Sequence, residues 1–454
     1  MLEAQRRDWI GRWLTCVALV VSACAVALGD ESKDAPPAPD RVKILDETGK
    51  PVIARLLEGS EGRLALRPDG GLSILREEPR AVDDPFVPET SEALADRLLN
   101  STYRGFAVLT KPHYLVFYQG KKSFAQNSAN LLESLYAGLF AKLKEKGLPV
   151  HDAEFPLIVV IYKTEADFRR AHRVDPDVQA FYNVASNRIY LYEQSDRDRD
   201  APDVSALRKP QTVAHEGTHQ ILQNIGVQPR MAPWPLWLAE GFAEYCAPTS
   251  TKKRGDWAGP GVVNPFHMAT IRDLNDPLNP RNSGADGGRI ANRVRNDPEV
   301  EPLITKEQLD PTDYARAWAV THYLAARKFP EFLAYLKEMG TLPPLGKMTA
   351  QEQKDLFTKH FGPDFAKLDR AVGQYLRNLK GFRALPYYLV TFEQTIGGGM
   401  VRRGALVSQS PAMVNQWLGE ITSPNGRPPL WRAWPFSTKA RASLAADQWL
   451  RNGQ

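Results

Sequence analysis

The chain has 454 residues, of which 43% are hydrophobic and 24% are charged, a composition typical of soluble globular proteins. Glycine and proline, at 32 and 35 residues, are near average usage, which excludes collagen-like and wholly disordered classes. The net charge of +5 is small and predicts neither a nucleic-acid partner nor a polybasic membrane patch. Three cysteines are too few to staple a chain of this length. We therefore expect several folding units with hydrophobic cores of their own.

The first 29 residues resemble an export signal. Three arginines within residues 6–12 precede an apolar run at 13–28, WLTCVALVVSACAVAL, and this order is typical of a secretory signal. The run has about 16 residues, fewer than the roughly 20 that span a bilayer. Ala25-Val26-Ala27 offers a cleavage site, whereas VSAC at 21–24 resembles a lipobox in which Cys24 would be acylated. The sequence predicts a periplasmic, cell-surface or extracellular protein whose only membrane contact is a lipid anchor at Cys24, if it has one.

Changes of pattern along the chain predict an α+β fold in several parts. The expected segments are a polar linker at 30–40, a small β-rich unit at 41–105, an α/β lobe at 106–250, a long loop with a helical lobe at 251–382, and a C-terminal extension at 383–454. Within the α/β lobe, FPLIVVIY at 155–162 predicts a buried strand, and residues 181–192 predict a hairpin. The charged run at 193–203 predicts a solvated loop.

Residues 215–219, HEGTH, match the pattern HExxH. On a helix, His215 and His219 lie one turn apart on the same face, where both can bind one metal ion. Glu216 follows the first ligand directly, where a carboxylate can polarise a metal-bound water. Thr212 is a candidate cap for this helix. The alternative is an ordinary helix that carries two surface histidines.

The segment PLWLAEGFAEY at 235–245 predicts a second helix, with Pro235 in its first turn. One Zn²⁺ ion held by two histidines needs a third protein ligand and an open position for water. Glu240 is the candidate third ligand. Glu244, one turn later on the same face, is expected to accept a hydrogen bond from a ligand imidazole.

HExxH followed by WLAEGFA resembles the gluzincin metallopeptidases, which include the aminopeptidase N and leukotriene-hydrolase group and the thermolysin-like enzymes. The resemblance implies a two-lobed fold with a mixed α/β N-lobe and a helical C-lobe, and it assigns the same roles to Glu240 and Glu244. It also implies a transition-state tyrosine near the start of a later helix. Tyr314, in YARAW, is the counterpart, although the Lys and Gly of the family pattern YxKGA are absent.

The stretch from His113 to Leu379 is also similar to an uncharacterised bacterial family of exported HExxH proteins. The shared phrases are HYL, HExTHQ and PxWLxEGxAEY. This resemblance strengthens the expectation of a metal site and says little about the substrate.

The expected substrate is a peptide or protein. Aminopeptidases of the gluzincin group recognise a free amine with a GxMEN loop before HExxH, and the sequence has no such loop, which favours an endopeptidase. In gluzincin folds an edge strand before the active-site helix binds the substrate backbone, and Arg188, Ile189 and Tyr190 are the candidates, an ordinary sheet strand being the alternative. The rival function is an exported binding or assembly module that keeps a metal site without turnover.

The other six histidines are isolated in the sequence, and each is expected to be structural or exposed rather than a ligand. They are His113, His151, His172, His267, His322 and His360.

Overall fold

The computed structural model describes residues 40–47, 49–250, 256–280, 298–382, 384–396, 400–421 and 429–452. The predicted signal with Cys24, and nearly all of the predicted linker, lie outside the described residues. None of the helices in the described ranges has the length and apolarity that a membrane crossing needs.

The described residues form an α+β fold with three sheets. The strands are β1 (Arg41–Leu45), β2 (Pro51–Gly59), β3 (Gly62–Leu66), β4 (Leu72–Leu75), β5 (Ala107–Thr110), β6 (Tyr114–Tyr118), β7 (Leu157–Thr164), β8 (Ala180–Asn183), β9 (Arg188–Gln194), β10 (Tyr387–Thr395), β11 (Val401–Ser408) and β12 (Leu430–Phe436). The helices are α1 (Ser91–Asn100), α2 (Lys122–Glu145), α3 (Glu165–Ala171), α4 (Asp196–Asp200), α5 (Pro202–Asn224), α6 (Leu236–Cys246), α7 (Pro265–Leu274), α8 (Val300–Leu303), α9 (Pro311–Arg327), α10 (Phe329–Met339), α11 (Ala350–Phe361), α12 (Phe365–Arg377), α13 (Pro411–Glu420) and α14 (Lys439–Asn452).

The central sheet has the order β5-β6-β7-β9-β8, with β6, β7 and β9 parallel and β5 and β8 antiparallel at the edges. Alternate residues of β7 pack against α2 and α5 on one face and against α1 and α3 on the other. Because both faces are covered, the strand needs a continuous apolar run rather than an alternating one. This confirms the predicted buried strand, and the antiparallel pairing of β8 with β9 confirms the predicted hairpin.

The HExxH helix begins earlier than the sequence indicates. The predicted solvated loop at 193–203 is wrong, because α4 and the start of α5 occupy it. Thr212 does not cap the helix; its hydroxyl lies inside α5 and donates to the Arg208 carbonyl oxygen at 3.3 Å. Pro202 starts the helix, where a missing N–H costs nothing, and Pro210 lies within it.

The strand predicted to bind substrate is not an edge strand. Arg188, Ile189 and Tyr190 belong to β9, which lies between β7 and β8 and pairs with both. Its backbone groups are therefore used within the sheet. The Arg188 side chain turns away from the HExxH helix and is only 2% exposed. It donates to Glu47 Oε1 at 2.9 Å and Tyr103 Oη at 3.1 Å.

Five helices, α6, α7, α8, α10 and α12, pack against α9, which begins with a capping box formed by Asp310 and Asp313. Trp237 of α6 and Trp318 of α9 are buried in the largest hydrophobic cluster, which runs from the central sheet through α5 and α6 to α12. The first part of the segment expected at 251–382 as a long loop with a helical lobe contains α7 and α8 among its described residues.

The C-terminal residues form a sheet of the order β11-β10-β12 with α13 and α14. Hydrogen bonds attach this unit to the start of α5 and to the end of α7. The Ser410 hydroxyl donates to Asp203 at the start of α5 at 2.5 Å. Thr438 and Arg441 donate to Asp276, which follows α7, at 2.6 and 2.7 Å.

A buried ion-pair network joins the N-terminal sheet to the central sheet. The Asp69 side chain is 3% exposed and lies 3.2 Å from Arg67, 3.4 Å from Arg97 and 3.6 Å from Arg188. Burial raises the pKa of Asp69, but Arg67, the Gly71 N–H and Arg188 outweigh it and hold the pKa below its usual value. The network therefore stabilises the fold only while this carboxylate is ionised.

We expect Asp69→Asn to destabilise the protein by about 3 kcal/mol at neutral pH, because it removes the carboxylate that pairs with the buried Arg67. The folded-state pKa of Asp69 is depressed, so its contribution is complete above the unfolded value of about 3.9 and is lost as the pH falls below it. Urea midpoints measured between pH 3 and 7 should therefore show a gap between the two proteins that narrows below pH about 4.

Asp40→Asn is the matched control, because Asp40 pairs with Arg41 at 3.0 Å while its side chain is 78% exposed. Exposed pairs contribute about 0–1 kcal/mol, so this variant should unfold almost as the unchanged protein does. A gap for Asp69→Asn that stays constant down to pH 3 would contradict the prediction.

Candidate metal centre

Two helices bring the predicted ligands together. α5 carries His215 and His219 one turn apart, and α6 carries Glu240. Glu240 Oε2 lies 3.0 Å from His215 Nε2 and 3.4 Å from His219 Nε2, and the two imidazole nitrogens are 3.2 Å apart. Each of the three residues thus directs one ligand atom towards a common point.

These spacings fit a metal ion. Imidazole and carboxylate ligands lie about 2.0–2.2 Å from zinc, and the corners of a tetrahedron of that radius are about 3.4 Å apart. Separations of 3.0, 3.2 and 3.4 Å therefore match one face of such a tetrahedron. Two imidazole nitrogens that face each other at 3.2 Å repel unless a proton or a cation lies between them.

In the candidate centre, the neighbouring imidazoles lower the pKa of the Glu240 carboxyl, whereas the neighbouring carboxylates raise the pKa of the His215 imidazole. Burial raises the pKa of Glu240, but the imidazoles of His219 and His215 outweigh it and lower the pKa to about 2. Burial lowers the pKa of His215, but Glu244 and Glu240 outweigh it and raise the pKa well above its usual value. A metal ion that bound to these residues would compete with a proton on His215, as is general for imidazole ligands.

Glu216 lies between the face of α5 that carries His215 and His219 and the edge of the central sheet. It is 4% exposed, and its Oε2 atom accepts a hydrogen bond from the Tyr182 backbone N–H at 2.8 Å. Burial raises the pKa of Glu216, against the opposing effect of the His215 and His219 imidazoles. A carboxylate with a raised pKa is a better proton acceptor, as a general base requires. Tyr182 belongs to β8, so the outer edge of the sheet borders the site.

Tyr314 lies at the start of α9, as the sequence predicted for a candidate oxyanion donor. Its ring centroid is 6.4 Å from that of His215, and the residue is buried. Burial first, and then Glu240, Glu216 and Glu244, raise the pKa of Tyr314 well above its usual value. Its hydroxyl therefore keeps its proton across the physiological range.

Glu244 links the first ligand to a histidine that sequence reasoning missed. Glu244 Oε1 lies 3.1 Å from His215 Nδ1, the nitrogen that faces away from the common point. The other oxygen, Glu244 Oε2, is 2.6 Å from His267 Nε2 on α7. His267 packs against Trp318 with ring centroids 5.8 Å apart. No local pattern points to His267, because it reaches the site through the packing of α7 on α9.

Two glycines allow the helices to approach closely enough to form the site. A Cβ atom on Gly241, next to Glu240, would lie 2.5 Å from Thr321 Oγ1 and 2.6 Å from the Ala317 carbonyl oxygen of α9. A Cβ atom on Gly217, within HExxH, would collide with Leu132 of α2. Helix packing therefore requires glycine at Gly241, in the EG pair, and at Gly217, the third residue of HEGTH.

His322 does not reach the predicted ligands, although it shares α9 with Tyr314. Its Nε2 atom lies 3.0 Å from the Gly261 carbonyl oxygen, and Nδ1 lies 2.8 Å from the Tyr375 hydroxyl. His113 and His360 pair with Glu133 and Glu338, away from the centre, at 2.7 Å each. Among the residues that the structure describes, only His215, His219 and Glu240 form a group that could hold a metal ion.

Residues 209–346 match a family model described as a protein of unknown function (DUF1570). The matched segment includes the HExxH helix, α6, His267 and Tyr314, so this chain is similar to that family over the whole candidate centre. It covers less than half of the chain. The match is compatible with the resemblance to an uncharacterised family. No curated protein matches the chain.

We expect His267→Ala to weaken metal binding, because Glu244 would lose the partner that holds it against His215. Removing such outer hydrogen-bond partners typically costs 10- to 100-fold in metal affinity. Titration of the metal-free protein with Zn²⁺ against a fluorescent chelator should therefore show a loss of at least about tenfold.

His360→Ala is the matched control, since His360 forms an equally short pair with Glu338, at 2.7 Å, on a helix outside the centre. This variant should bind Zn²⁺ like the unchanged protein. Equal affinities for His267→Ala and His360→Ala would show that His267 has no part in the site.

Proposed function

We propose that this protein is an exported, zinc-dependent endopeptidase of the gluzincin type. The observation that carries the proposal is the convergence of His215 Nε2, His219 Nε2 and Glu240 Oε2 with separations of 3.0–3.4 Å. Glu216 lies on the same helix turn. The order of these residues along the chain and their spacing in space both support the proposal.

His215, His219 and Glu240 would hold the zinc ion, which supplies a Lewis acid when bound. Glu216 is placed to accept a proton from the attacking water and to pass it to the leaving amine. Its burial and raised pKa support that role. Glu244 holds His215 in the orientation that directs Nε2 towards the common point.

Tyr314 would donate a hydrogen bond to the oxyanion that develops when the peptide carbonyl is attacked. Its position beside His215 and its retained proton support this role.

The substrate backbone would lie along the outer edge of β8. Its Tyr182 N–H donates to Glu216, and among the described strands none pairs with β8 on the side away from β9, so a strand edge would border the proposed base. An extended peptide can pair with such an edge. The absence of a sequence counterpart to the GxMEN amine-binding loop supports internal rather than N-terminal cleavage.

The two-lobed arrangement and the export of the chain also belong to this proposal. In this proposal, the central sheet with α2 and α5 would be the mixed α/β lobe. The helices from α9 to α12 would be the helical lobe. Export, and either signal cleavage or a lipid at Cys24, are proposed from the sequence of residues 1–29.

Glu216→Gln should keep stoichiometric zinc and lose peptide cleavage by about 10²- to 10⁴-fold, because general-base catalysis contributes that much. His215→Ala should lose both zinc and cleavage. Zinc content by emission spectroscopy and chelator-sensitive cleavage of casein measure the two effects separately. Glu133→Gln is the control, because Glu133 also pairs with a histidine, His113, but is not one of the candidate ligands.

Absence of stoichiometric zinc from the purified protein, or unchanged cleavage by Glu216→Gln, would contradict the proposal. Zinc retained without cleavage by the unchanged protein would favour the rival function, a binding or assembly module.

Tyr314→Phe should lower kcat about 10²-fold or more while changing KM little, because an oxyanion donor acts mainly in the transition state. Tyr323→Phe, later on the same helix, is the control. Steady-state kinetics on a peptide cleaved by the unchanged protein provides the measurement, and an unchanged kcat would remove Tyr314 from the mechanism.

A further inference from the structure

The positive charge of the chain is concentrated at its C-terminal end. Residues 383–454 contain eight arginines and lysines against three aspartates and glutamates, an excess equal to the net charge of +5 for the whole chain. Residues 1–382 are therefore balanced. The same C-terminal segment holds four of the ten tryptophans. The small net charge of the whole chain therefore does not reveal that its C-terminal unit is basic and rich in tryptophan.

The C-terminal sheet has one end against the body of the protein and the other end directed away from it. Tyr387, at the start of β10, is buried with Ala269 of α7 and Ala442 of α14. At the opposite end of β10, Glu393 pairs with Arg403 of β11 and Leu430 of β12. The side chains near Glu393 therefore belong to the end that is far from α7.

We call this far end the sheet tip and define it by Met400, which precedes β11, by Val401 to Arg403 on β11, and by Leu430 to Arg432 on β12. Its apolar side chains are largely exposed: Leu430 is 84% exposed, Met400 62%, Trp431 55% and Val401 49%. Burial of such side chains is the main favourable term in association, so a cluster of them at one end of a sheet indicates an interaction surface.

The same tip carries exposed arginines. Arg402, Arg403 and Arg432 alternate with its apolar residues along the two strands, and all three are exposed. Arg403 pairs with Glu393 at 2.9 Å and also lies 6.0 Å from the Trp449 ring of α14. The surface is thus both apolar and cationic, which fits an anionic partner that also accepts apolar groups.

The arrangement of the side chains favours a membrane over a protein partner. Successive residues of a strand point to opposite faces, so Leu430 and Trp431 lie on different faces of the sheet. Val401 and Leu430 lie on the two outer strands of the order β11-β10-β12. A protein that covered one face, or a strand that paired with β12, would leave part of the tip exposed. Pro435 also removes one backbone donor from the edge of β12.

We propose that the sheet tip binds the interface of a membrane that contains anionic lipid. Tryptophan side chains favour the headgroup region, and arginines beside them are attracted to anionic headgroups. A surface that the tip enters covers both faces and both outer strands at once. The proposal does not depend on the peptidase function.

The test compares two double variants of the full chain, both with Cys24→Ser so that no lipid anchor contributes. Leu430→Ser/Trp431→Ser alters the tip. Leu45→Ser/Val87→Ser is the matched control, because these residues are 65% and 64% exposed but lie in the N-terminal part of the chain. Binding is measured by co-sedimentation with vesicles of phosphatidylcholine alone and of phosphatidylcholine with phosphatidylglycerol at a ratio of 3:1.

The control should bind phosphatidylglycerol vesicles at least about tenfold more strongly than the tip variant. Arg402→Gln/Arg432→Gln should lose the preference for phosphatidylglycerol and its sensitivity to salt. Equal thermal midpoints would show that the variants are folded.

Equal binding by the tip variant and the control, whether strong or absent, would overturn the proposal. A dimer that the tip variant converts to a monomer, measured by light scattering, would also overturn it, because the tip would then be an interface between copies of this chain.

Discussion

The close crossing of α6 over α5 and α9 is the constraint on which the candidate centre depends. It places Glu216, Glu240 and Glu244 with two imidazoles in one buried volume. Buried charges are costly unless they are paired, and here each carboxylate faces an imidazole or a backbone N–H. Gly241 permits the crossing because a Cβ atom there would meet α9. The residue beside Glu240 therefore matters for the position of the Glu240 carboxylate.

The close contacts from His215 through Glu244 to His267 extend the centre to α7, and α7 is in turn held by the C-terminal unit. Asp273 of α7 accepts from the Ala440 N–H at 2.8 Å, and Asp276 accepts from Thr438 and Arg441. The same unit contacts the start of α5. Residues after 383 thus hold both α5, which carries His215, and α7, which carries His267. The C-terminal extension is therefore part of the architecture of the site.

Local patterns predicted what depends on local spacing, and failed where packing at long range decides. HExxH and the helix of Glu240 could be identified because residues one turn apart share a face. The buried strand β7 followed from its apolar run. The sequence of β9 does not show whether another strand pairs with its second edge. Its position inside the sheet, between β7 and β8, therefore could not be predicted. The start of α5 was missed, since charged residues and Pro210 resemble a break although the helix continues through them.

The sheet tip gives the lipid-anchor alternative at Cys24 a physical consequence. A single acyl chain binds a bilayer only marginally and reversibly, and stable attachment generally needs a second contact. Once the first contact is made, the second becomes intramolecular and benefits from a high effective concentration. A tip with a few exposed apolar side chains and arginines is too small to hold the protein strongly by itself, but it suffices as that second contact. Salt should then release the unlipidated chain far more readily than the lipidated one, because only the arginine contribution is screened.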